Sequence, residues 1–234
     1  IEEKREQGVY LTILGFGHGN YKDSKMESLA DNGNGNYFYI DDISESNRVL
    51  VTNLAGTLFT IAKDVKIQVE FNPQFVAEYR LIGYENRIMN NEDFENDKKD
   101  AGELGAGHTV TAIYEIVPGK AKDANLKYQT KTTNSSNDLV TVKLRYKKPG
   151  TETSILKEAI VNSTDKKTWA NTSKLFKFSA AVAGFSLILR ESKYIKDFNY
   201  DDVIKIATQN TEVSESTKTE FIALVNKAKL LSQD

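Results

Sequence analysis

The sequence contains no cysteine, so disulfides and thiolate metal sites are excluded at once. That absence fits a cytosolic protein and a cell-envelope protein equally. Histidine is scarce: His18 and His108 are the whole supply, and neither has a second ligand at local spacing. Long apolar runs are missing too. The longest, residues 180–189 (AAVAGFSLIL), falls well short of the roughly 20 residues that a bilayer span needs, so no transmembrane segment is expected. No charge sign dominates. With 31 basic and 33 acidic residues the net charge is −2, and no broad field points to nucleic acid or an anionic membrane surface. No signal peptide, internal repeat or low-complexity tract is visible. The chain starts Ile-Glu-Glu-Lys-Arg-Glu, without Met, and enters an apolar strand almost at once. A fragment of a longer protein is expected, with any targeting signal upstream.

What is present suits a globular chain. A length of 234 residues, 39% of them hydrophobic and 27% charged, allows one large or two small domains. Residues 8–16 (GVYLTILGF) form a near-continuous apolar run, as in a parallel strand buried on both faces. A glycine turn follows (Gly15, Gly17, Gly19), then cap spacing at Ser24 and Glu27 with an apolar stripe of Met26, Leu29 and Ala30. Asn32 to Asn36 stops that helix. Residues 37–40 read as a strand. Asp42 and Glu45 again have cap spacing, and Leu50, Leu54, Leu58 and Ile61 share a helical face. Residues 8–62 therefore predict strand, helix, strand, helix, which is half of a doubly wound α/β domain.

The segment 64–118 opens a β-rich region. In VKIQVEF, Val65, Ile67, Val69 and Phe71 alternate with Lys66, Gln68 and Glu70, which predicts a strand with one dry and one wet face. Val140, Val142, Leu144 and Tyr146 alternate in the same way. Further strands are expected near 126–128 and 155–161, with a turn at Lys148-Pro149-Gly150. Short strands so punctuated predict an antiparallel sandwich. Helices are expected over 173–193 (Leu175, Phe178, Val182, Phe185 and Leu189 facing the sandwich), over 201–209, and after a capping box at Thr217 and Glu220.

The quoted α/β segment resembles the last two strand–helix units of a bacterial von Willebrand factor A (VWA) domain. The segments KDVKIQVEFNPQFVAEYRLIGYENR and DFENDKKDAGELGAGHTVTAIYEIVP resemble the uncharacterised domain that follows VWA in a group of bacterial cell-envelope proteins. The resemblance is most specific between Gly8 and Pro118. It implies an α+β chain: the C-terminal part of a VWA-like α/β domain (1–62), a β-sandwich domain (63–170), and a helical segment packed on it (171–234). It also implies a cell-envelope location, periplasmic, membrane-anchored or secreted. VWA domains bind ligand through a divalent cation held by a D-x-S-x-S loop after their first strand. No D-x-S-x-S occurs in this sequence, so Mg or Ca is expected only in the full-length VWA domain, and no cofactor or metal ligand is carried onto this chain.

Several local features invite chemistry. The acidic loop offers Asp93, Glu95 and Asp97 as calcium ligands, with His108 nearby in sequence. It departs from the EF-hand template, with Lys98 at the sixth position from Asp93 and Leu104 at the twelfth. A solvated hairpin loop is the expected form. His18 and His108 sit on glycine turns, where an imidazole can bind metal or move protons; packing is the simpler role. Gly15-x-Gly17-x-Gly19 lacks the spacing of a dinucleotide loop. The single Trp169 lies in a polar stretch, as a plug over the sandwich or as a partner-binding residue. Asn134, Asn162 and Asn171 match N-x-[ST], which has little weight in a bacterial-looking chain. No catalytic residue stands out at informative spacing. The expected function is non-enzymatic binding or scaffolding in the bacterial envelope, with another protein as partner and with pairing of the C-terminal region to another chain kept open. The alternative is a hydrolase-type enzyme with a site near the 92–108 loop.

Overall fold

A computed structural model describes residues 1–17, 22–84, 87–120, 136–212 and 214–232. His18, Gly19, the strand expected near 126–128 and Asn134 lie outside the described residues. The fold is mixed α/β. It divides into two compact units, one of residues 1–70, 88–111 and 140–160, the other of residues 71–87, 112–139 and 161–234.

The first unit opens with α1 (Glu2–Glu6), β1 (Ile13–Phe16), α2 (Asp23–Asn32) and β2 (Tyr37–Ile40). β1 and β2 pair in parallel, from Ile13 opposite Tyr37 to Phe16 opposite Ile40. They form a two-stranded sheet of their own. Beyond α2, Asn34 takes a left-handed φ of 47°. A Cβ on Gly35 would overlap the Leu11 carbonyl, so the turn passes the strand only because that residue has none.

The single helix expected up to residue 62 is broken. Asp42 caps α3 (Ile43–Asn47), its carboxylate accepting from the Glu45 amide at 2.8 Å. A π turn over Arg48–Thr52 follows, then α4 (Leu54–Leu58). A π turn inserts a residue into the helical repeat, so four-residue spacing no longer stays on one face. Val49 is buried, whereas Leu50, Leu54, Leu58 and Ile61 are all exposed.

Strand β3 (Thr60–Phe71) begins where that helix was expected to continue. It lies in a four-stranded sheet ordered β5 (Gly102–Gly105), β3, β7 (Asp138–Lys147), β8 (Ile155–Asn162). β3 and β5 are antiparallel, with register shifts between Thr60 and Ala62 and between Ala62 and Val65. Asp64 sits in the second shift with φ 51°. An irregularity of this kind re-aims the side chains that follow. Lys66, expected wet, is 4% exposed, and Ile67, expected dry, is 50% exposed. Residues 140–146 of β7 are all half-buried, without the expected contrast between faces.

α4 meets β5 glycine to glycine. A Cβ on Gly105 would overlap the carbonyl of Gly56, and one on Gly56 would lie 2.6 Å from His108 Nε2. The backbone is joined there as well: the Ala106 amide donates to the Phe59 carbonyl at 2.8 Å.

In the second unit β4 (Val76–Ile82) pairs antiparallel with β6 (Ile113–Pro118). Phe71 packs on Tyr79 and Tyr114, with ring centroids 4.6 and 5.4 Å away. Helices α5 (Lys174–Leu189), α6 (Tyr200–Gln209) and α7 (Ser216–Leu231) share a core of Ala181, Phe185, Val203, Ala207 and Val225. Ser173 caps α5 by accepting from the Phe176 amide at 3.1 Å. Asn199 and Asp202 form a reciprocal capping box on α6. The capping box expected at Thr217 is not used, because α7 starts two residues earlier, with Glu215 in the N-cap position.

The buried side of α5 is the expected stripe only at Phe178 and Phe185. Phe178, Ala181, Phe185 and Ile188 face the shared core, while Leu175, Val182 and Leu189 are exposed. The small residues decide this. A Cβ on Gly184 would run into the Phe198 ring, so the helix is approached along its Ala181–Gly184 side. Among the described residues, no helix is long and apolar enough to cross a membrane.

Gly105→Ala should destabilise the protein by about 2–3 kcal/mol in urea unfolding, since the added carbon meets backbone and not a side chain that can swing away. Gly102→Ala, where a Cβ meets nothing within 4 Å, should change stability by less than about 0.5 kcal/mol. Equal effects at the two positions would contradict the tight contact between α4 and β5.

Candidate functional site

The densest polar cluster of the first unit lies where β3 and β7 meet the acidic loop. Lys66 and Lys147 are both buried. Lys66 donates to the carbonyls of Asp93 and Asn96 at 3.1 and 2.5 Å. Lys147 donates to the Asp97 carbonyl at 2.7 Å and pairs with the Asp64 carboxylate at 2.8 Å. Arg145 adds bonds to Asp97 at 3.2 Å and to the Ser154 hydroxyl at 2.6 Å. Phe94 is buried beneath the loop.

These contacts set the charge states. Burial lowers the Lys66 pKa, against the pull of Asp64 and Asp97. The Asp64 hydrogen bond raises that of Lys147. A hydrogen bond from Ser154, helped by Arg145, holds the Asp97 carboxyl below its usual range. The carbonyl oxygens that would make a calcium loop therefore point at ammonium groups. Asp93 pairs with Lys99 at 3.6 Å, and Asp97 with Arg145. Glu95 is exposed. His108 lies apart, half-buried against Gly56. Among the described residues, no three His, Asp or Glu side chains are grouped so as to hold a metal ion.

Sequence reasoning passed over Glu103, the most perturbed carboxyl. It stands on β5, and its Oε1 accepts from the Asn34 amide at 3.1 Å. Its Oε2 is buried without a hydrogen-bond partner among the described residues. Burial pushes its pKa up to about 7; Lys63 opposes the rise, and Asp64 and Asp100 add to it. An i+69 contact with an asparagine turn has no local signal, so nothing in the pattern GELGAGH marks it.

Trp169 is half exposed and packs edge-to-face on Phe176 at 6.2 Å. Phe176 belongs to α5, so the indole rests on a helix end. Two clefts are described in the second unit, neither lined by any residue of the acidic loop. One, of about 350 Å³, is lined by Leu187, Ile188, Ile195, Phe198 and Tyr200 with Glu191 at its edge. The other, of about 290 Å³, is lined by Arg80, Leu81, Leu187, Arg190, Ser192 and Tyr194.

Three comparisons place the chain among known proteins. The family model described as "Uncharacterized protein YfbK, C-terminal" matches residues 56–231. "Uncharacterized protein YfbK" of Escherichia coli (strain K12) is 37% identical over 235 residues, covering 97% of this chain and 40% of that protein. The chain thus spans well under half the length of this relative. The crystal structure of the ArnB paralog VWA2 from Sulfolobus acidocaldarius is 14% identical with a TM-score of 0.40, covering 93% of this chain and 51% of that one.

Two outcomes follow from the site. Asp64→Asn should cost on the order of 3 kcal/mol of stability, because it leaves the Lys147 ammonium buried beside a neutral amide. Glu103→Gln tests the raised carboxyl. The folded protein keeps its proton up to about pH 7, whereas the ordinary value is 4.5, so this group favours folding fully below 4.5 and loses that contribution as pH rises toward 7. Denaturant midpoints from pH 4.5 to 8 should show the parent falling relative to the Gln variant across this window, then running parallel to it. Parallel curves throughout would show that Glu103 titrates normally.

Proposed function

This chain belongs to the family of the C-terminal region of the uncharacterized protein YfbK, and on that premise we propose that it is the C-terminal portion of a bacterial cell-envelope VWA protein that binds another protein and is not an enzyme. In this reading residues 1–62 complete a doubly wound α/β domain whose earlier strands and metal-dependent ligand site, for Mg or Ca, lie in the preceding part. The β-rich region after it is read as an antiparallel sandwich, with the C-terminal helices added to it.

One observation carries the proposal. The two-stranded parallel sheet and its flanking segments expose large apolar side chains, among them Phe16 at 62%, Val51 at 69%, Leu58 at 64% and Phe59 at 64%. Parallel sheets are almost always covered on both faces, and a surface this apolar calls for further packing. Additional strands and helices of the same domain are the occupants that the VWA resemblance supplies. The coupling route is also short. α4 is separated from β3 by Phe59 alone, and α4 rests on β5 through Gly56 and Gly105. A shift of that helix would load the sheet directly.

Amide exchange of the longer protein and of this chain, each with and without Mg²⁺, tests the reading. Residues 43–59 should be better protected in the longer protein by about tenfold or more, and Mg²⁺ should alter exchange over 43–71 there and not in this chain. Equal protection in the two would remove the completed-domain reading. Full protection without any Mg²⁺ response would remove the coupling alone.

A further inference from the structure

The strand order β5-β3-β7-β8 gives the four-stranded sheet two edges. β5 is four residues long, and α4 rests on it. β8 is eight residues long, and every residue from Leu156 to Asn162 is exposed. Among the described residues, no strand pairs with its outer side. Alternate backbone amides and carbonyls there are left for another strand to meet. Proteins blunt such edges with proline, bulges or very short strands. β8 contains no proline and no left-handed residue. Leu156 and Ile160, exposed by 51% and 49%, lie on one face of it. Its protection is charge in mid-strand, from Lys157 and Glu158. Among the described residues, neither is held in an ion pair.

Those two charges also make the strand complementary to itself. Consider two copies of β8 laid antiparallel, with a twofold axis between Lys157 and Glu158. Lys157 then stands opposite the second copy's Glu158, Leu156 opposite its Ala159, and Ile155 opposite its Ile160. Opposed residues of antiparallel strands share a face, with Cβ atoms about 4.5–5.5 Å apart. Each face therefore carries one Ile–Ile, one Leu–Ala and one Lys–Glu pair. The register is specified as well: a slip of one residue puts Lys157 on Lys157, or Glu158 on Glu158. A foreign strand without adjacent charges of this order would leave Lys157 and Glu158 unanswered.

We propose that β8 is an interaction surface for a second copy of this chain, the two joining edge to edge through residues 155–160 into one continuous sheet across a twofold axis. Residues 155–160 belong wholly to the first unit. They include none of the exposed apolar residues on which the proposed function rests. The contact is small, so the pairing is weak and reversible.

Sedimentation of the 234-residue chain from about 10 µM to about 1 mM, a range suited to weak pairing, should show a monomer–dimer equilibrium. Lys157→Glu and Glu158→Lys should each weaken it about tenfold or more, because like charges then face each other twice. Mixed in equal amounts, the two variants should associate as the parent does, since each contact between unlike chains again pairs opposite charges. Circular dichroism checks that each variant is folded. Should one single variant fail to fold, the other and the double exchange Lys157→Glu/Glu158→Lys carry the test, the first weakened and the second restored. A parent that stays monomeric throughout overturns the proposal. So do folded single variants that associate as the parent does, or a mixture no more associated than its components apart.

Discussion

Two ammonium groups inside the first unit carry the constraint on which its β-rich part depends. A buried lysine is costly unless its donors are met. Lys66 and Lys147 meet theirs with the carbonyls of Asp93, Asn96 and Asp97 and with the Asp64 carboxylate. The acidic loop is thereby drawn down onto the sheet, and Phe94 goes inside with it. The bulge at Asp64 is part of the same arrangement, since it turns Lys66 inward and brings the Asp64 carboxylate to Lys147. A segment whose composition resembles a cation-binding loop is a clasp closed on the protein's own cations.

That clasp stands a few residues from the place where the α/β segment passes into the sheet. β3 begins directly after α4, and its first residues pair with β5, against which α4 rests through two glycines. Gly56, the bulge at Asp64 and Lys66 lie along one stretch of chain, and β5 and β7 bring Gly105 and Lys147 to it. In the sheet against which α4 rests, the buried charged residues Lys66 and Lys147 are tied to backbone carbonyls. The exposed apolar residues upstream set the opposite condition: that end of the unit has surface left to bury.

The alternation and cap signals had unequal reach. Asp42 caps its helix as the Asp-x-x-Glu spacing implies, because a cap is made within four residues and needs nothing from the rest of the fold. The parallel pairing of β1 with β2 followed from the strand–helix–strand order, for which a crossover is the short solution. Faces were less legible. Period-2 reasoning put Lys66 in water and Ile67 in the core, and the bulge reversed both. On α5 the spacing of Leu175, Val182 and Leu189 is as regular as that of Phe178, Ala181, Phe185 and Ile188, and only contact with α6 and α7 chooses between the stripes.

Sequence alone determined the local and compositional properties of this protein: no thiol chemistry, balanced charge, helix starts at Asp42 and Ser173, an α/β beginning and a β-rich middle. Each of these is set by neighbours along the chain or by a simple count. Tertiary structure decided which polar groups meet. The Glu103–Asn34 contact, the lysines in the acidic loop and the cleft lined by Arg80 and Tyr194 all join residues far apart in sequence. The reason is physical: hydrogen bonds and burial depend on distance in space, and one inserted residue, in a π turn or a bulge, is enough to redirect every side chain that follows.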